Sequence, residues 1–148
     1  KGDFLLFDFG AVINGYHADI SRTFVVGKAS LEQKEFYEML KTAQQKSVAA
    51  VRTGVDGAFP DAVVRENLSE KYLPYYYPGL GHGVGLEIHE LPFIRHSSKF
   101  TYLNHMCLTI EPGCYIPGWG GMRIEDTIVV KDQTPEILTS FPRDLTEL

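Results

Sequence analysis

Two distant segments of this chain share one plan of acids and glycines. The first is DFGAVINGYHADISRTFVV and the second is EPGCYIPGWGGMRIEDTIVV. In each, a glycine follows the opening acid by two residues and another follows it by seven, and a second acid opens a run that ends in Val-Val. Because Asn-Gly between apolar runs is a strong turn signal, the first segment is predicted to be a β-hairpin. The shared plan favours a duplicated hairpin, and the alternative is that any two hairpins share turn glycines.

The two similar segments supply most of the predicted strands. The first segment should form a strand near residues 4–9, a turn at Asn14-Gly15 and a second strand over residues 16–26. The second should form strands over residues 106–116 and 121–130, joined by a glycine-rich turn. A glycine-spaced stretch, GLGHGVGLEIHELP, precedes this second hairpin and is also predicted to be strand-like.

Helical patterns lie between the two hairpins. Ser30 and Gln33 form a Ser-x-x-Gln capping box, which predicts a helix from residue 31 to about residue 52 that Gly54 ends. A second helix is predicted over residues 58–72. Two hairpins separated by helices predict an α+β domain.

Composition excludes several classes of protein. The length of 148 residues fits one domain. A net charge of -5 offers no basic stripe for phosphates, so no nucleic-acid partner is expected. No apolar run approaches the roughly 18 residues of a membrane span. Cys107 and Cys114, seven residues apart in a strand-like stretch, should lie more than about 20 Å apart, too far for a disulfide unless the strand folds back. The reducing cytoplasm is therefore the expected location.

Five metal-ligating side chains lie in glycine-punctuated, strand-like segments: Asp8, Asp19, His82, Glu111 and Glu125. Four carboxylates gathered in one core would repel each other and resist desolvation. Two divalent cations would compensate these four negative charges. The alternative for any single acid is a solvated turn residue, but that explanation weakens for all five together.

The spacing of the acids supports a shared site. Asp8 and Asp19 are eleven residues apart across a short turn, so they can sit side by side on paired strands, about 5 Å apart at Cβ. Glu111 and Glu125 can meet in the same way. Four oxygen ligands and one nitrogen favour manganese, cobalt or iron over a thiolate zinc site. Two such ions can bind a bridging hydroxide that hydrolyses an amide or ester.

The motifs around these residues resemble the pita-bread metallopeptidases, the family of methionine aminopeptidase, aminopeptidase P and prolidase. The resemblance rests on Asp-x-Gly-Ala with a second Asp eleven residues on, Gly-His-Gly-x-Gly with His-Glu-x-Pro, Thr-Ile-Glu-Pro-Gly, and Arg-Ile-Glu-Asp-Thr. It covers nearly the whole chain. It implies a pita-bread fold, here incomplete, with a curved and mostly antiparallel sheet covered by helices.

The resemblance also implies a role for each ligand. Asp8 would chelate one metal, Asp19 and Glu125 would bridge both, and His82 and Glu111 would hold the other. Glu111 would also act as the general base that handles the proton of the bridging water. The implied cofactors are two divalent ions, Mn²⁺ or Co²⁺, with Zn²⁺ or Fe²⁺ as alternatives.

Two further residues are implied to bind substrate. His89 corresponds to the later histidine of the Gly-His-Gly block, which contacts substrate near the scissile bond. Arg123, two residues before the last ligand, resembles aminopeptidase P and prolidase, whereas methionine aminopeptidases lack that arginine. The implied reaction is hydrolysis of an Xaa-Pro bond by a metal-bridging hydroxide. The implied partner is a peptide with proline at its second position, and a homodimer is a further expectation.

Members of this family carry another histidine upstream of the first Asp, together with a further half of the core. The resemblance therefore implies that residues 1–148 are the carboxy-terminal portion of a catalytic domain. A methionine aminopeptidase-type enzyme remains an alternative. So does a non-catalytic relative that binds peptides or proteins, although such relatives usually lose metal ligands and this chain keeps all five.

Overall fold

The computed structural model describes all residues, 1–148, and contains two α-helices, one short 3₁₀ helix and twelve strands. In chain order the strands are β1 (Phe4–Phe9), β2 (Val12–Ile13), β3 (Tyr16–His17), β4 (Ile20–Val25), β5 (Gly81–Gly83), β6 (Glu90–Ile94), β7 (Cys107–Ile110), β8 (Gly113–Ile116), β9 (Gly120–Arg123), β10 (Asp126–Val129), β11 (Glu136–Ile137) and β12 (Thr146–Glu147). The helices are α1 (Leu31–Ala50) and α2 (Phe59–Asn67), and the 3₁₀ helix is Leu73–Tyr75.

Both similar segments form hairpins of the same design. Strands β1 and β4 pair antiparallel and enclose the short β2–β3 pair. Strands β7 and β10 likewise pair antiparallel and enclose the β8–β9 pair. The resemblance between the two segments therefore extends from sequence to strand pairing.

The predicted long strands were wrong in one respect, because each is broken at an acid. Residues 16–26 form β3 and β4, with the break at Asp19. Residues 106–116 form β7 and β8, with the break at Glu111, and residues 121–130 form β9 and β10, with the break at Glu125. At the two breaks of the second hairpin, the acid's N–H makes a non-local hydrogen bond. The Glu111 N–H donates to the Leu80 carbonyl at 2.7 Å, and the Glu125 N–H donates to the Ser21 carbonyl at 3.1 Å. Both N–H groups therefore bond to carbonyls outside their own hairpin, and this interrupts the strand pairing there.

Two larger sheets hold the hairpins. One has the order β1-β4-β12, and the other has the order β11-β10-β7-β5-β6. Strand β5 can approach β7 closely because Gly81 has no side chain: a Cβ there would lie 2.0 Å from the Thr109 carbonyl oxygen. This close pairing places His82, the next residue, beside the β7–β10 hairpin.

Both helices are shorter than the sequence pattern predicts. The Ser30–Gln33 capping box is present, but α1 ends at Ala50, because Val51 adopts extended backbone and buries its side chain. Helix α2 ends at Asn67, because Leu68 turns to extended backbone and packs into the core. The local pattern does not reveal either inward turn.

The hydrophobic core joins the helices to the second hairpin. Phe36 and Leu40 of α1 belong to the same buried cluster as Leu108 and Ile128. On the first hairpin, by contrast, large apolar side chains face solvent, with Phe9 62% exposed and Ile13 70% exposed. Neither helix combines the length and apolar character that crossing a membrane requires.

Candidate metal centre

All five predicted ligand residues converge at one place. Two groups of three stand out: Asp8, Asp19 and Glu125 form one, and His82, Glu111 and Glu125 form the other. Within each group, one potential ligand atom per residue lies within 4.8 Å of the others. Glu125 belongs to both groups. The arrangement is therefore two triads that share one carboxylate, which suits two neighbouring cations.

The first hairpin presents its two aspartates diagonally. Asp8 lies on β1 opposite Ser21, two residues beyond Asp19, so the two acids are diagonal neighbours and not directly opposite as their spacing suggested. Diagonal side chains on paired strands remain within reach of each other. Gly10 makes room for this geometry, because a Cβ there would lie 1.7 Å from the Ala18 carbonyl oxygen.

The imidazole of His82 is oriented by its own backbone. Its Nδ1 lies 2.9 Å from the Gly83 carbonyl oxygen, so Nδ1–H donates there and leaves Nε2 facing the acids. Nε2 lies 3.1 Å from Glu111 Oε1 and 3.6 Å from Asp19 Oδ2. Thr109 Oγ1 donates to the same Glu111 oxygen at 3.0 Å and fixes that carboxylate.

The Glu125 carboxylate is buried among other acids, and one of its oxygens has no hydrogen-bond partner. Its side chain is 1% exposed, and its buried Oε1 has no hydrogen-bond partner. Burial raises the pKa of Glu125 to about 8, and the nearby carboxylates of Glu111 and Asp19 add to the shift. Burial also raises the pKa of Asp19, with a further contribution from Asp8. An unpartnered buried carboxylate oxygen among other acids fits a site for divalent cations.

The pKa of His82 is also shifted by the neighbouring acids. Burial alone would lower its pKa, but hydrogen bonds to Glu111 and to the Gly83 carbonyl outweigh burial, and the pKa of His82 is raised overall. The raised pKa shows that the acids around Nε2 favour a positive charge there, which is the charge that a metal cation would supply.

These shifts predict how metal-free stability depends on pH. Glu125, Asp19 and His82 all bind protons more tightly when folded, so their stabilisation is present at acid pH and is lost as pH rises from about 4.5 to about 8. We expect the melting temperature of the metal-free intact protein to fall by on the order of 5 °C between pH 5 and pH 8. Saturating Mn²⁺ should remove most of that fall. Calorimetry at both pH values checks this. The control is Glu125→Gln, in which the melting temperature should fall less between pH 5 and pH 8. A fall as large as in the wild type would contradict the assignment of the shift to Glu125.

Arg123 on β9 brings a positive charge to the acids. It donates to the Asp8 carboxylate, to Ser21 Oγ at 2.9 Å and to Tyr115 Oη at 3.1 Å. Its Nε also lies 3.8 Å from Glu111 Oε2. Burial would lower the pKa of Arg123, but Tyr115 and the two acids hold it above its usual value. Arg123 therefore stays charged and links a ligand candidate from each hairpin.

His89 lies near the centre by a different route from the one predicted. The stretch between His82 and His89 is a loop beyond the end of β5, not a continuing strand. The loop folds back so that the two imidazole rings meet edge to face with centroids 4.4 Å apart. His89 can also group with Asp19 and His82 as a third potential ligand set.

A cavity of about 650 Å³ opens onto the centre. Five of the predicted site residues line it: Asp8, His82, His89, Glu111 and Arg123. Its wall also contains side chains that the sequence did not single out as site residues: Tyr77, Phe93, Arg95 and Tyr115. Of these, only Tyr77 stands out in the sequence, because it ends a run of three tyrosines.

Known proteins match this chain along most of its length. The family model for metallopeptidase family M24 matches residues 1–132. An Xaa-Pro dipeptidase of Pyrococcus furiosus is 42% identical over 146 residues, which are 98% of this chain and 42% of the relative. The chain thus spans about two fifths of the length of such relatives.

Solved structures agree with the sequence matches. An X-Pro aminopeptidase from Thermotoga maritima superimposes with a TM-score of 0.95 at 39% identity, covering 100% of this chain and 42% of that one. An Xaa-Pro dipeptidase from Bacillus anthracis gives a TM-score of 0.95 at 43% identity, with the same coverage. The expected α+β pita-bread fold is confirmed. By sequence and by structure, the chain belongs to metallopeptidase family M24.

Proposed function

We propose that the protein containing this chain hydrolyses Xaa-Pro peptide bonds with two divalent metal ions, as a prolidase or aminopeptidase P. The observation that carries this proposal is the pair of triads that share Glu125 and border a cavity. The names of the similar proteins, Xaa-Pro dipeptidase and X-Pro aminopeptidase, support the substrate class.

The proposed ligands divide between the two ions. Asp8 would hold one ion, His82 and Glu111 the other, and Glu125, which the two triads share, would hold both. By the family resemblance, Asp19 would also bridge both ions. When bound, two such cations polarise a peptide carbonyl and lower the pKa of an attacking water. The oxygen-rich donor set favours Mn²⁺ or Co²⁺, with Fe²⁺ or Zn²⁺ as alternatives.

Glu111 is the proposed general base. Its carboxylate is fixed by Thr109 and His82 at one oxygen and faces Arg123 at the other. It also lines the cavity, where it can accept a proton from the attacking water and pass it to the leaving nitrogen. A fixed orientation matters, because proton transfer needs hydrogen-bond reach to both atoms.

The rest of the cavity suits a peptide that contains proline. His89 at the cavity wall can donate a hydrogen bond to the carbonyl of the scissile bond. Tyr77, Phe93 and Tyr115 offer aromatic faces to the apolar pyrrolidine ring. Arg123 would hold Asp8 in place beside the substrate.

Peptide assays on the intact protein test this function. With Mn²⁺, we expect Xaa-Pro substrates to be cleaved at least about 100-fold faster than matched Xaa-Ala substrates, and chelation should abolish activity until Mn²⁺ is restored. Comparing Xaa-Pro dipeptides with longer Xaa-Pro peptides separates prolidase from aminopeptidase P. Preference for Met-initiated peptides without proline would contradict the proposal and favour methionine aminopeptidase. Tight peptide binding without hydrolysis would instead favour a non-catalytic relative.

The placement of this chain within a larger catalytic domain stays a proposal. The exposed apolar side chains of the first hairpin, Phe9 and Ile13 among them, form a surface that further polypeptide could cover. The cytoplasmic location and a homodimer also stay predictions.

A further inference from the structure

We propose that Arg22 is a positioning residue for the metal centre: held by Asp126, it clamps the backbone of Glu125 and so sets the place of the carboxylate that both triads share. The inference rests on the proposed two-metal function. Arg22 and Asp126 belong to none of the groups that could hold a metal and do not line the cavity.

Asp126 is the fixed end of this clamp. It directly follows Glu125, and its carboxylate is fully buried. Four donors surround it: Arg22 Nη2 and Thr139 Oγ1 bond Oδ1, while Gln44 Nε2 and Arg143 Nε bond Oδ2. Because both oxygens are bonded from separate segments of the chain, the carboxylate has little freedom to shift.

Arg22 uses every donor it has. Its guanidinium is 4% exposed and makes five hydrogen bonds, to Asp126 Oδ1 and to the carbonyls of Ser21, Glu125, Phe141 and Pro142. An arginine has five N–H donors, so none is left over. A lysine has three donors and no planar fork, so it cannot make the same set of bonds.

The clamp joins parts of the fold that no strand pairing joins. Strand β4 lies in one sheet and β10 lies in the other. Between them, the Glu125 N–H donates to the Ser21 carbonyl, Arg22 donates to the Glu125 carbonyl, and Thr127 Oγ1 donates to the Asp19 carbonyl at 2.7 Å. The peptide groups of Asp19 and Glu125 are therefore tied across the two hairpins. Buried ion pairs often add little net stability. We therefore assign the Arg22–Asp126 pair the role of fixing the position of the Glu125 backbone.

The test compares metal binding with folding stability in the intact protein. Arg22→Lys keeps the positive charge but removes hydrogen-bond donors. The control is Arg65→Gln, which breaks a different ion pair between an arginine and a buried aspartate, Arg65–Asp61 on helix α2. Mn²⁺ titration by calorimetry gives the two affinities, and thermal unfolding gives stability. We expect Arg22→Lys to weaken the second Mn²⁺ at least about 10-fold, since partners that orient ligands contribute that much. Arg65→Gln should lower the melting temperature while changing both Mn²⁺ affinities less than about twofold.

Either of two results overturns the clamp: wild-type Mn²⁺ affinities in Arg22→Lys, or an equal loss of affinity in Arg65→Gln. If Arg22→Lys does not fold, Thr139→Val replaces it, because that variant removes one peripheral donor to Asp126 and should weaken the second ion about threefold. Unchanged affinity in Thr139→Val then counts against the clamp. A wild-type protein that binds fewer than two Mn²⁺ ions overturns the proposed centre itself, and so the two failures are distinguishable.

Discussion

Replacing Glu125 with alanine is expected to abolish two-metal occupancy in the intact protein and to lower kcat/KM for an Xaa-Pro dipeptide by at least about 10³-fold. Glu125 is the one residue common to both triads, so its loss removes a ligand from each ion. It is also the most buried of the five candidate ligands, with 1% of its surface exposed.

A second substitution at Glu125 distinguishes the loss of a metal ligand from the loss of packing. Glu125→Gln keeps the side-chain volume but removes the charge, so it should also lose the second ion. Because burial and neighbouring acids raise the pKa of Glu125, the neutral glutamine should raise the metal-free melting temperature at pH 8. Glu136→Ala, on the exposed strand β11, is the matched control and should change neither property. Metal analysis that finds two equivalents bound to Glu125→Ala would sink the ligand assignment.

Replacing His89 with alanine is expected to lower kcat about 100-fold while both metal ions stay bound. In our account His89 contacts substrate from the cavity wall, so its loss should weaken the transition state and leave the ligand set intact. The contrast with Glu125→Ala is the informative part, because one variant loses metal and the other does not.

His89 lies close enough to the centre that a second role, as a metal ligand, has to be tested against the first. His89 can group with Asp19 and His82, so the alternative is that it ligates an ion itself. Metal titration of His89→Ala decides between the two roles: loss of one Mn²⁺ equivalent would show that His89 is a ligand. His96→Ala, in an exposed loop, controls for removal of an imidazole and should leave both occupancy and kcat unchanged.

The sequence was informative where the signal was local. The turn glycines predicted both hairpins, and the spacing of the acids predicted that Asp8 lies near Asp19 and Glu111 near Glu125. The family resemblance, and not the spacing, implied that both pairs meet His82, as the structure shows. Asn14 and Gly15, for example, both adopt the positive φ that a tight turn requires.

The sequence failed where long-range contacts decide the outcome. The strand breaks at Glu111 and Glu125 arise from hydrogen bonds to Leu80 and Ser21, which no local pattern reveals. The pairing of Arg123 with Asp8 spans 115 positions in sequence. The clamp is similar, because Arg22 and Asp126 are 104 positions apart and each resembles an ordinary polar residue of a strand.

The most direct measurement is anomalous scattering from crystals of the intact protein grown with Mn²⁺. Our account predicts two peaks roughly 3.5–4 Å apart, with Glu125 in contact with both. Asp8 should contact one peak, and His82 and Glu111 should contact the other. A single peak, or a pair of peaks that does not involve Glu125, would contradict the account.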